Sequence, residues 1–113
     1  MGRRQSDAVG QTYALIDRLA AMTSQQIADS IKALKIRGER ERSTRCPLAL
    51  YARALIPAAE HVCVSPASLQ VSYPRRWWYG TAALHQSLPS SARLFVLDFD
   101  RGLYPALVRD PSS

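Results

Sequence analysis

Seven basic residues, Lys32, Lys35, Arg37, Arg40, Arg42, Arg45 and Arg53, fall between positions 32 and 53, against Glu39 and Glu41 alone. That stretch carries a net +5 of the chain's formal +6. A localised cationic run is the electrostatic footprint of phosphate binding, an attraction independent of base sequence and sensitive to salt. Arg outnumbers Lys strongly, and its planar fork suits phosphate or carboxylate. A second unusual run is Arg75-Arg76-Trp77-Trp78-Tyr79. Cations beside aromatics clamp phosphates and stack bases, and the same residue types anchor protein–protein contacts. Neighbouring side chains on a strand point to opposite faces, so one of Trp77 and Trp78 is expected inside and the other outside as a contact residue.

Other chemistry-bearing residues lack a supporting pattern. Cys46, His61, Cys63 and His85 are potential metal ligands, and His61 and Cys63 share a face if they lie on a strand. The chain has neither the C-x-x-C nor the H-x-x-x-H type of spacing that builds a tetrahedral zinc site, so no metal is expected. Ser90, Ser91, Cys46, His61 and His85 include nucleophiles and bases, but no local motif such as G-x-S-x-G sets one beside another. Asp98 and Asp100 are two apart on an expected helix and so face different ways. Their place near its C-terminal end, unfavourable for negative charge, suggests pairing with Arg93, Arg101 or Arg109. No glycine-rich phosphate cradle is present. The expectation is a non-catalytic protein without a cofactor. The opening Met1-Gly2-Arg3-Arg4-Gln5-Ser6 matches a loose acylation pattern that a bacterial chain would not use.

The elements that hold these residues follow from periodicity. The chain has 113 residues, 47% of them hydrophobic and 21% charged, which fits one folded domain rather than a disordered chain. Residues 1–8 read as a frayed tail, 9–108 as the domain and 109–113 as a second tail. Val9, Tyr13, Ile16, Leu19 and Ala20 step by three and four, which predicts a first amphipathic helix. Thr23 or Ser24 caps a second helix whose stripe is Ile27, Ala28, Ile31 and Leu34, with Gly38 placed to stop it. A break at Thr23 would fold these two helices into a hairpin. Residues 35–45 read as an exposed loop. Cys46-Pro47 opens a third helix, apolar nearly all round and so central, which Pro57 ends.

Residues 61–64 and 69–73 are short β-type runs around a Ser65-Pro66 turn, and residues 81–85 offer a third strand. Leu88-Pro89 opens a last helix with the stripe Ala92, Phe95, Val96 and Phe99; Gly102 stops it, and residues 104–108 return as an extended tail. The order predicts an α+β fold: three N-terminal helices, a small antiparallel hairpin or three-stranded sheet, and a C-terminal helix.

Gly38, Cys46-Pro47-Leu48-Ala49, Leu88-Pro89 and Phe99-Asp100-x-Gly102-x-Tyr104-Pro105 together resemble a group of small uncharacterised actinobacterial and actinophage proteins. The resemblance spans roughly residues 25–108 and implies a bacterial or mobile-element setting but no catalytic residue. The element order also resembles a winged helix. It departs from one in the 11 residues (35–45) between the second and third helices and in the apolar third helix, which has few groups to read base edges.

No apolar run is long enough to cross a bilayer, no secretory signal is seen, and two cysteines make no disulfide framework, so a reducing cytoplasm is expected. The leading expectation is a small regulatory protein that contacts nucleic acid through Lys35, Arg37, Arg40, Arg42, Arg45, Arg75 and Arg76. The alternative is a protein-interaction module, docking a partner or a second copy through Trp77, Trp78 and Tyr79.

Overall fold

The computed structural model describes residues 3–40, 42, 44–74 and 81–108. It is an α+β protein: α1 (Arg3–Ala20), α2 (Ser24–Ala33), α3 (Pro47–Leu55), β1 (His61–Val64), β2 (Ser68–Pro74), β3 (Thr81–Ser87), α4 (Ser90–Asp100) and a 3₁₀ turn at Pro105–Leu107. The strands form one antiparallel sheet in the order β1-β2-β3, with Val62 opposite Val71 and Val71 opposite Leu84. Period-two alternation turns Val62, Val64, Leu69, Val71 and Tyr73 inward. On that side α3 packs against β1 and α1 against β2, while α4 lies on α1 and α2. Tyr51, Phe95, Phe99, Leu15, Leu19, Ile27 and Ile31 fill the space between, all fully buried.

Local chemistry sets the element ends. Thr23 caps α2 with a reciprocal box: its hydroxyl accepts from the Gln26 N–H, and the Gln26 side chain accepts from the Thr23 N–H. Cys46 caps α3, its sulfur accepting from the Ala49 N–H at 3.3 Å, and Pro47 takes the first turn. The expected α4 stripe of Ala92, Phe95, Val96 and Phe99 is the buried face of that helix. Gly102, at φ +87°, ends it as expected.

Four sequence expectations are corrected. Arg3 to Ala8, read as part of a frayed tail, belong to α1, and Ala8 is fully buried. α1 and α2 do not lie along each other as a hairpin, because the core they share is α4: α1 packs on β2, α3 and α4, and α2 on α4 and the 3₁₀ turn. Serine hydroxyls knit that junction, Ser91 donating to the Leu19 carbonyl and Ser24 to the Ser91 carbonyl, both at 2.8 Å. Residues 104–108 are not an extended tail, since they coil into the 3₁₀ turn before Val108 forms a parallel bridge to Gly38.

The fourth correction concerns Gly38. α2 ends earlier, in a Schellman motif: Ile36 N–H bonds the Ile31 carbonyl, Lys35 N–H bonds the Lys32 carbonyl, and Lys35 sits at φ +58°. Gly38 is needed for close approach instead. It is buried, its N–H donates to the Leu107 carbonyl at 2.8 Å, and a Cβ there would stand 2.5 Å from Arg45 O and from Pro47 N. Those are backbone atoms that cannot swing away. Gly38→Ala is therefore expected to destabilise by about 3 kcal/mol, as overpacking against a fixed wall does. Gly102→Ala should cost about 1 kcal/mol, the left-handed penalty, because its close neighbour is the far end of Arg40. Urea denaturation of the two variants checks the order.

Candidate functional site

The basic segment leaves α2 and crosses to α3. All seven of its cations are exposed, but the fold divides them. Arg45 bonds Glu39 at 3.4 Å, beside the Glu39 N–H to Arg45 carbonyl bond at 2.7 Å. The neck of the loop is thus closed by a backbone bond and an ion pair. Arg40 lies over the end of α4, its Nη1 3.2 Å from where a Gly102 Cβ would be. α4 has two carboxylates and no cation in its last turn. Arg40, from another segment, joins Arg101 at the C-cap in placing positive charge where a helix C-terminus favours it. Arg42 lines a small cavity of about 210 Å³ with Asp100, Cys46 and Val64.

Lys32, Lys35 and Arg37 go elsewhere. With Ile36 and residues 105–108 they line an open groove of about 630 Å³ beside the C-terminal end of α2. Among the described residues the groove lining contains three cations and no carboxylate. Its floor is apolar: Ile36, Pro105, Ala106, Leu107 and Val108. Leu107 and Val108 are fixed there by Gly38, and Tyr104 just before them packs on Phe95 with ring centroids 5.1 Å apart. Burial, together with the negative charges of Asp98 and Asp29, pushes the Tyr104 phenol above its ordinary pKa of 10.0. Sequence reading gives Lys35 and Arg37 as site residues but not residues 105–108, which are 68 or more positions away from Arg37 and carry no charge.

Arg75, Arg76, Trp77, Trp78 and Tyr79 lie outside the described residues. The strands flanking them are paired as far as Pro74 and Thr81. α3, the candidate base-reading helix of a winged-helix arrangement, packs on β1, α1 and α2 and leaves Arg53 and Ala54 exposed.

The other candidate residues separate. His61, Cys63 and His85 lie on the sheet face away from the helices, where Cys63 pairs with Gln70 and Gln70 with His85. Two strand spacings, about 10 Å, stand between Cys63 and His85, too far for one ion held at roughly 2.0–2.3 Å. Cys46 is buried at the α3 cap, and no cluster of three potential ligands occurs among the described residues. The Ser91 hydroxyl is committed to the Leu19 carbonyl. Asp98 and Asp100 act in different places, on Tyr104 and beside Cys46 respectively, and Asp98 forms no ion pair with Arg93 or Arg101 among the described residues. Arg109 lies outside them. No helix among the described residues is long and apolar enough to cross a membrane. No protein-family model, curated protein or solved structure matches the chain.

Burial, opposed by hydrogen bonds to the sulfur and reinforced by the Asp100 charge, pushes the Cys46 thiol from 9.0 up to about 11. The folded state therefore keeps this proton at a pH where the unfolded chain loses it. Stability from this group is complete below pH 9 and falls as pH rises through about 11, by about 3 kcal/mol at most. Cys46→Ser keeps a capping oxygen and has no titrating thiol, so the stability difference between wild type and variant should shift over that interval and stay constant below it. Denaturation curves at pH 8, 9, 10 and 11 measure it. In the native protein a thiol reagent should label half-buried Cys63 first and Cys46 only on unfolding.

Proposed function

We propose that this chain is a small nucleic-acid-associated protein that holds phosphates on the basic segment between α2 and α3 and performs no catalysis. The observation that carries the reading is the exposure of Lys32, Lys35, Arg37, Arg40, Arg42 and Arg45 within one loop and the adjoining helix turn. The 98 residues outside the range 32–46 hold a net +2 of the formal +6. The neck bonds between Glu39 and Arg45 limit the loop's freedom, so less ordering entropy is lost when it meets a phosphate backbone. Arg75 and Arg76 are further contacts in this reading. With the reading helix of a winged-helix arrangement buried, binding would rest on backbone charge more than on base edges.

Salt titration tests it. Labelled random-sequence duplex should bind the full chain at low salt, with log Kobs falling against log salt at a slope of about −4.5 to −6.3, set by five to seven phosphate contacts. Arg40→Ala/Arg42→Ala/Arg45→Ala should weaken binding and flatten the slope by about 2 to 3, with the fold checked by circular dichroism. A folded wild-type sample that binds neither duplex nor single strand at low salt would overturn the proposal.

A further inference from the structure

We infer that the groove between Lys32, Lys35 and Arg37 and the chain's return at residues 105–108 is a seat for one strand of nucleic acid, with phosphates on the three cations and a sugar or base face on the apolar floor. The inference rests on the nucleic-acid reading above and adds to it the part of the surface used and the form of nucleic acid taken.

Three features converge on it. The first is charge. Lys32, Lys35 and Arg37 are exposed and line the groove with no carboxylate among its described lining residues, while Arg45 is bonded to Glu39 and Arg40 lies over the end of α4. The cations gathered in the concave part of the surface therefore offer an anion the strongest local attraction, since low-dielectric walls focus the field.

The second is shape and floor. A groove of about 630 Å³ has the size of a pocket for a nucleotide-sized group, and Ile36, Pro105, Ala106, Leu107 and Val108 give it an apolar bottom. A duplex presents its phosphates outward and its bases stacked away, so it would meet the rim cations and leave the floor unused. A single strand can turn a sugar or base face down while its phosphates stay with the cations. The combination favours the single strand.

The third is Lys35 itself. It stands at φ +58°, the position in a Schellman motif that glycine fills without steric cost. A lysine here is less stable than a glycine would be, and what it adds is an ammonium group on the groove. A charge placed at the expense of backbone ease fits a contact residue.

The experiment uses the full chain and fluorescence anisotropy at low salt. The probes are a labelled 20-nucleotide oligo-dT, a 20-base-pair duplex and a 20-residue poly-Glu peptide. Lys32→Gln/Lys35→Gly/Arg37→Gln should weaken oligo-dT roughly tenfold or more and flatten its log–log salt slope by about 2, the value for three lost contacts on a single strand. Lys35→Gly alone should weaken it while leaving the melting temperature unchanged or higher, which separates lost contact from lost fold. Arg53→Gln, a cation on α3 away from the groove, should change oligo-dT binding much less. Wild type should bind oligo-dT more tightly than duplex.

Oligo-dT binding that the triple change leaves intact would overturn the groove assignment and leave the nucleic-acid reading standing. Tighter duplex than single-strand binding would overturn the single-strand assignment. Poly-Glu binding as tight as oligo-dT, and weakened by the same changes, would assign the groove to an acidic peptide instead. No binding of either nucleic acid would overturn this inference and the reading beneath it together.

Discussion

The fold depends on one close approach. At Gly38 the chain leaving α2 is pressed against the carbonyl of Arg45 and the nitrogen of Pro47, with no room for a side-chain carbon. The same residue gives its N–H to Leu107. One position therefore joins the exit of α2, the entry of α3 and the return of the chain after α4. The loop of residues 39–45 is closed at its neck by that junction, and the groove floor is held where the cations can face it. A hydrogen bond and a steric limit, rather than burial of a large side chain, fix this arrangement.

Charge is distributed around that junction in two ways. α4 ends in Asp98 and Asp100 with no cation in its last turn before the Arg101 cap, so negative charge gathers where its carbonyls already point. The loop brings Arg40 to Gly102 and Arg42 to the Asp100 cavity, beside that charge. Lys32, Lys35 and Arg37 lie on the other side of Gly38 in the chain and emerge beside residues 105–108. One basic run, its cations exposed throughout, thus has a part beside the end of α4 and a part beside residues 105–108. The core makes the division stable: Phe95 and Phe99 stack at 6.3 Å within α4, and Tyr104 closes on Phe95.

Much of the fold was legible in the residues. Cys46-Pro47 marks a helix start because a sulfur can accept from the third N–H and proline loses nothing in the first turn. The α4 stripe and its glycine stop, the turn at Ser65-Pro66 and the alternation on β1 and β2 are all local patterns, and the third strand follows from the same pattern. The misreadings are of another kind. Gly38 carries the composition of a helix stop, but Lys35 takes that role because the motif needs only one left-handed residue, and Ile36 then packs on the core. The α1–α2 hairpin fails because their apolar faces find α4 and the sheet before each other. Of the site, Lys35 and Arg37 are visible as charge, whereas the groove floor is an ordinary run of small apolar residues.

By itself, then, the sequence determined the class of fold, the helix and strand positions, and the localisation of positive charge, because each follows from side-chain type and short-range period. Tertiary structure decided which cations share a groove, which lie beside the end of α4, and why Cys46, His61, Cys63 and His85 do not converge. Those outcomes depend on contacts between segments far apart in the chain, such as Gly38 with Leu107. Local propensity carries no information about which segments will meet; the packing of one shared core does.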